Sequence, residues 1–324
     1  MKKLSTWSKI LGLLVVGLVL VACGNDGAAD GDDSTNIGIL LSAEHGALTS
    51  AQEGFIEKLE ENGFSDEENI NINVLNSQGN SGNLHDMATQ LANESDLLLG
   101  ISTSAAQALA SAVEDDTPIL FTATTDPENA GLVETMDNPG GNITGTSDMV
   151  PYEEQVALLH LIKPEAENIG IIFNSSEPNS QIQADLARET IEESGRQAVI
   201  KTVTNTNDVQ QVAESLMNEV DAIYIPTDNT LASAAVTVGD LAVEHQIPIV
   251  AGSIDHTAEG GLATYGIDYH SLGKQTGQMA LDILKNDTTP ANISVETAQE
   301  LDLFVNEDMA DALGIDPESI QLEE

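Results

Sequence analysis

DAIYIPTDNTLASAAV, Asp221 to Val236, is the stretch whose reading decides the fold. Ile223, Tyr224 and Ile225 read as a buried strand, and a small-residue helix follows. Between them stand Thr227, Asp228, Asn229 and Thr230. Four hydrogen-bonding side chains at the end of a core strand fit two readings. They cap the helix, or they form one wall of a binding site.

The same unit recurs along the chain. Apolar runs that end in polar clusters and feed helices occupy Ile37 to Phe55, Asp96 to Val113 and Pro118 to Leu132, with a further strand at Ile72 to Asn80. After Gly140 to Pro151 the pattern restarts. A helix runs from Tyr152 to Lys163-Pro164, and units follow at Ile169 to Leu186, Gln197 to Asn205, the opening stretch, and Ile247 to Gly261. Gly63 and Gly195 close helices as left-handed caps. Alternating strands and helices predict an α/β fold with parallel sheets covered on both faces. Two runs divided near residue 150 predict two doubly wound lobes, although no sequence repeat relates them. In such sheets ligands sit beyond the carboxyl ends of the strands, and every polar cluster lies at that end.

The first 22 residues read as a secretory signal. Lys2, Lys3 and Lys9 precede Ile10 to Ala22, which is apolar or glycine throughout. That run is too short for a membrane span, which needs roughly 20 residues. It ends in Leu20-Val21-Ala22-Cys23, which resembles a bacterial lipobox, and Cys23 is the single cysteine of the chain. Lipidation of Cys23 accounts for a lone thiol in an exported protein. Residues 23–36 then read as an acidic, flexible tether.

The 324 residues carry a formal net charge of −44. Three of the ten basic residues fall in the signal and no acidic ones do, which leaves seven against 54 and a net of −47. Such self-repulsion is screened in salt, where the Debye length falls to roughly 3 Å at 1 M. The surface reads as adapted to saline or alkaline surroundings, and it argues against a nucleic-acid partner, which needs a basic footprint. The chain lacks GxxxxGK[ST], GxGxxG after a strand, GxSxG and HExxH. Its six histidines are scattered, so they read as surface or satisfied polar groups. No catalytic residue, metal site or cofactor is expected.

Seven segments in order carry a resemblance: EHGAL (Glu44 to Leu48), STSAAQALASA (Ser102 to Ala112), TATTDPENAGLV (Thr122 to Val133), PGGNITGTSDMVP (Pro139 to Pro151), FNSSEPNS (Phe173 to Ser180), VDAIYIPTDNTLAS (Val220 to Ser233) and GIDYHSLGKQTGQMA (Gly266 to Ala280). Together they resemble the tryptophan/tyrosine-type ABC substrate-binding lipoproteins. The resemblance implies the type I periplasmic-binding fold, with lobe 1 from 37–148 and 268–300 and lobe 2 from 149–267 and 301–324. Its three hinge crossings are expected near Ser147 to Tyr152, Thr264 to Asp268 and Leu301 to Val305. It implies a monomeric, lipid-anchored receptor that hands a small ligand, an aromatic amino acid, to an ABC permease and ATPase. A sensing lipoprotein, or a receptor for another solute such as a nucleoside, remains the alternative. Gly46, Ser104 and Ser271 depart from the family pattern, which commonly has proline, proline and aspartate.

An amino-acid carboxylate suits a helix N-terminus, here Thr103 and Ser104, with Thr124 and Thr125 on the neighbouring strand. Its ammonium suits Asp228 and Asn229 first, then Ser253, Asp255 and Asp268. Asn174, Ser175, Ser176 and Asn179 form another polar rim, in which Glu177 is a ligand contact or a solvated charge. Glu44, His45, Ser147 and Asp148 complete the candidate set. Tyr224 reads as core, and Tyr269 as a cleft or hinge side chain.

Overall fold

A computed structural model describes residues 34–66, 68–286, 288–299 and 301–321. The signal segment, Cys23 and the tether up to residue 33 lie outside the described residues. The chain runs through β1 (Thr35–Leu41), α1 (Gly46–Glu60), β2 (Ile70–Asn76), α2 (Ser81–Glu94), β3 (Leu97–Ile101), α3 (Thr103–Ala112), β4 (Ile119–Thr124) and β5 (Ile143–Ser147). It continues through α4 (Tyr152–Ile162), β6 (Asn168–Asn174), α5 (Pro178–Glu193), β7 (Gln197–Val203), α6 (Thr206–Met217) and β8 (Ala222–Ile225). Then come α7 (Asn229–Ala232), α8 (Ala235–His245), β9 (Ile249–Ala251), α9 (Ile254–Gly260) and β10 (Ala263–Gly266). The last elements are α10 (Tyr269–Asn286), β11 (Glu296–Thr297), β12 (Asp302–Val305) and α11 (Glu307–Leu313).

The strands form two sheets of six, ordered β11-β5-β4-β3-β1-β2 and β12-β10-β9-β8-β6-β7. Both are wound alike, with the second strand outside the first and the rest following in chain order. The two lobes therefore share a topology that no sequence repeat announces. Pairing is parallel except where β12 runs antiparallel to β10. Central strands such as β3, β4 and β8 are buried along their whole length, because helices cover both faces. That is why they read as continuous apolar runs, while the edge strand β7 has a mixed, partly exposed pattern.

The chain crosses between the sheets three times: from β5 to α4, from β10 to α10, and between β11 and β12. The third crossing lies between Thr297 and Asp302, ahead of the stretch expected from the sequence, because residues 302–305 already pair in the second sheet. α10 returns to the first lobe and packs along α1. Glycines permit the close approach: a Cβ on Gly273 would collide with the Ala51 carbonyl, and one on Gly54 with the His270 carbonyl. Lys274 Nζ then pairs with Glu57 at 2.6 Å and Glu61 at 3.1 Å across the two helices. Inside, Thr276 Oγ1 lies 2.8 Å from Thr146 Oγ1 on β5, which roots α10 to the sheet. Tyr224 is fully buried in the second lobe, where its hydroxyl donates to Gln155 Oε1.

Candidate ligand-binding site

The end of β4 and the segments following β1 and β5 in the first lobe meet those following β6, β8 and β9 in the second around one cavity. Local chemistry shapes each wall. Ser102 caps α3, its Oγ accepting from the Ala105 N–H at 3.2 Å, with φ at +110°. A non-glycine residue holds such a φ only where its surroundings enforce it. In β4 the register breaks between Phe121 and Thr124, and Ala123 takes φ +54°. This bulge re-aims the end of the strand. Beyond it the Thr124 and Thr125 hydroxyls are buried without a hydrogen-bond partner.

Asp148, just past β5, is 1% exposed. Its Oδ2 accepts from the Tyr269 hydroxyl at 2.6 Å, and its Oδ1 has no partner. Thr125 stands close to this carboxylate without reaching bonding geometry. Burial raises the Asp148 pKa above the ordinary carboxylate value, and the bond from Tyr269 offsets part of the rise. A buried carboxylate oxygen without a donor is costly unless something pairs with it. The atom lies in a cavity-lining residue, in a wall made otherwise of Ala47, Leu48 and Ala123 with His45 and Tyr269.

In the second lobe the polar side chains are largely occupied. Asp228 caps α7, with Oδ1 accepting from the Leu231 N–H at 2.8 Å, while Oδ2 accepts from the Asn174 N–H at 2.6 Å. Burial and the nearby Glu177 push its pKa upward. Glu177 ties the loops together: its oxygens accept from the backbone and side chain of both Asn229 and Thr230. It is a tie between loops, not a free solvated charge, and it lines the outer groove. Asn179 Nδ2 donates to the Thr227 carbonyl at 3.0 Å. Ser253 caps α9 by accepting from the His256 N–H at 3.1 Å.

The lobes touch across the mouth. His45 Nε2 lies 3.1 Å from Asn229 Oδ1, Ser50 Oγ donates to Asp255 Oδ1 at 3.1 Å, and Ser233 Oγ donates to the Glu44 carbonyl at 3.3 Å. Gly46 allows this approach, since a Cβ there would stand 3.3 Å from Asp255 Cβ. The cavity behind these contacts has a volume of about 20 Å³, room for about one water. A larger ligand enters only if the lobes part. Outside the contacts lies a groove of about 610 Å³.

Of the residues expected from the sequence, the cavity gathers His45, Asp148, Asn179, Asp228, Asn229 and Ser253. Glu44, Ser104, Asn174 and Ser176 line the outer groove. Thr103, Thr124, Thr125 and Ser147 are buried outside the cavity lining, with Ser147 Oγ donating to the Thr125 carbonyl. Ser175 is exposed on the rim. Asp268 is exposed too, and it caps α10 by accepting from the His270 N–H and the Ser271 hydroxyl. Asp228 lines the cavity with each oxygen already accepting one backbone N–H, so it acts as a cap and loop tie, whereas Asp148 keeps an oxygen with no donor. His256, read as a surface or satisfied histidine, is 5% exposed and lines the cavity. The one local sign of it is its place three residues after the capping Ser253. Among the described residues no group of three or more His, Cys, Asp and Glu could hold a metal, and no helix is long and apolar enough to cross a membrane.

Two alike α/β lobes, hinged by three crossings and enclosing a cavity at their strand ends, define the type I periplasmic-binding class. Within it, residues 36–323 match the family model "ABC transporter substrate binding protein", and the chain belongs to that family. It is 36% identical over 319 residues to the "Tyrosine-binding protein" of Clostridioides difficile, covering 94% of this chain and 92% of the relative. A crystal structure of an ABC domain in complex with L-Trp from Streptococcus pneumoniae superposes with a TM-score of 0.83 at 35% identity, covering 88% of this chain and 96% of that one. The ligand-free, open structure of a substrate-binding protein with adhesive properties from Clostridium difficile is 41% identical, covering 87% and 95%, yet its TM-score is 0.66. Better agreement with the ligand complex, at lower identity, accords with lobes that meet across the mouth.

Proposed function

We propose that the chain is an extracytoplasmic receptor, anchored through lipidated Cys23, that closes its lobes on an aromatic amino acid and delivers it to an ABC importer. The observation that carries the reading is the cavity-lining Asp148, whose buried Oδ1 has no partner, in a lobe-1 wall made otherwise of Ala47, Leu48 and Ala123 with His45 and Tyr269. An ammonium is a natural partner for such an oxygen, because a buried charge is stable only when paired. The relatives' ligands, a tyrosine and an L-Trp, are amino acids with aromatic rings. Lobe 1 (37–148 and 268–300) and lobe 2 (149–267 and 301–324) part at the crossings to admit the ligand and shut through the His45–Asn229 contact. The receptor works as a monomer and turns nothing over.

A thermal-shift screen of the amino acids in high salt tests this. A ligand at 100 times its dissociation constant adds about 2.7 kcal/mol to stability. Tyrosine or tryptophan is expected to raise Tm, and no rise with any amino acid sinks the reading.

A further inference from the structure

We infer that His256 is a specificity-determining residue: its imidazole reads a hydrogen-bonding group on the ligand's ring, a phenol hydroxyl or an indole N–H. This rests on the amino-acid reading above and extends it to the ligand's far end.

Among the polar side chains on the second lobe's wall, Asp228 and Asn229 are spent on protein partners. Thr227 Oγ1 donates to Gln183 Oε1. Asn179 keeps only its oxygen, having placed its amide on the Thr227 carbonyl. His256 differs. Its backbone N–H is held by Ser253, yet neither ring nitrogen bonds any described residue, although the residue is 5% exposed and lines the cavity. A buried imidazole facing a cavity without a partner is a group awaiting one.

The position suits the far end of an amino acid. Asp148 comes from the end of β5 in the first lobe, and His256 from the first turn of α9 in the second. Both residues line the one cavity, each from its own lobe. With the lobes parted to admit an amino acid, one whose ammonium sits on Asp148 in the first lobe can present its side chain to the His256 wall of the second.

The protonation state agrees. Burial pushes the His256 imidazole down to about 3, and His45 pushes in the same direction. The ring is therefore neutral, with one donor and one acceptor nitrogen. Its acceptor takes a proton from a phenol or an indole, and its donor can serve a phenol oxygen. Phenylalanine offers neither and leaves the imidazole unpartnered, a loss of about tenfold or more in affinity.

The test is calorimetric titration of the mature protein with L-tyrosine, L-tryptophan and L-phenylalanine, repeated on His256→Phe, which keeps a planar ring and the backbone bond to Ser253. The wild type is expected to favour tyrosine, tryptophan or both over phenylalanine by about tenfold or more. The three values tell which ring group is read. His256→Phe should erase the preference while binding phenylalanine no more weakly. Equal wild-type affinities, or a preference that survives in the variant, overturn the inference. So does an equal loss for all three ligands, which would place the ligand's carboxylate on His256. In each of those three cases the amino-acid reading stands; if none of the three amino acids binds, that reading falls and the inference falls with it. Should the variant not fold, the wild type decides alone: the ¹⁵N shift of a His256 ring nitrogen should move with the preferred ligand and stay with phenylalanine. No movement with any bound ligand overturns the inference.

Discussion

Replacing Asp148 by Asn should weaken ligand binding while leaving the empty protein as stable as before or more so. The side chain keeps its shape, and the Tyr269 hydroxyl, now 2.6 Å from Oδ2, keeps an acceptor. What disappears is the negative charge opposite the ligand's ammonium. Truncating one partner of a buried charge pair costs about 2–5 kcal/mol. The amide retains an acceptor, so we take about 2–4 kcal/mol, or roughly 30- to 1,000-fold in Kd. The stability effect has the opposite sign. Burial raises the carboxyl's pKa in the folded chain above its ordinary 3.8. The native state then holds a proton that the unfolded chain has released, so stability falls as pH rises from 3.8 through the raised value. Asn removes that loss. Titration calorimetry and thermal melts of the ligand-free variant near neutral pH read the two effects separately. An unchanged Kd, or a loss of binding matched by a drop in the empty protein's Tm, would refute the reasoning.

Other consequences are open to simple measurement. Gly273→Ala sets a methyl against the Ala51 carbonyl where α10 lies on α1; overpacking of about 1–3 kcal/mol should lower Tm by several degrees, and an unchanged melt would show that the helices separate easily. With a net charge of −47 on the chain after the signal, raising salt from about 0.05 M to about 1 M should raise Tm by shortening the Debye length; a flat response would mean that self-repulsion is not limiting. Cys23→Ser should release the protein from the membrane fraction into the medium, as judged by fractionation and the loss of lipid mass at the N-terminus; retention on the membrane would require another anchor.

The winding of both lobes was legible because it rests on periodicity. Runs such as Leu97–Ile101 and Ala222–Ile225 are buried throughout, and their polar ends fall where doubly wound sheets place ligands. Which polar end remains free for a ligand was not legible, because composition does not say whether an oxygen is already taken. Asp228 and Asp148 look equivalent as letters after a strand. Yet each Asp228 oxygen already accepts an N–H, from its own helix and from Asn174, whereas one Asp148 oxygen has no donor at all. Glu177 read as a rim charge, because its ties to residues 229 and 230 lie more than 50 positions away. The bulge at Ala123 leaves no mark in ITGTS or ILFTAT, since it arises from the pairing of two strands. His256 was hidden for a related reason: its burial comes from the walls around it and not from the helix that carries it.

The central claim, that the cavity takes an amino acid by its ammonium, is tested most directly by titrating the protein with L-tyrosine and its des-amino analogue, 3-(4-hydroxyphenyl)propionate. The account predicts saturable one-to-one binding of tyrosine and a loss of roughly 30-fold or more for the analogue, which leaves Asp148 unpaired. Equal affinity for the two compounds would contradict it.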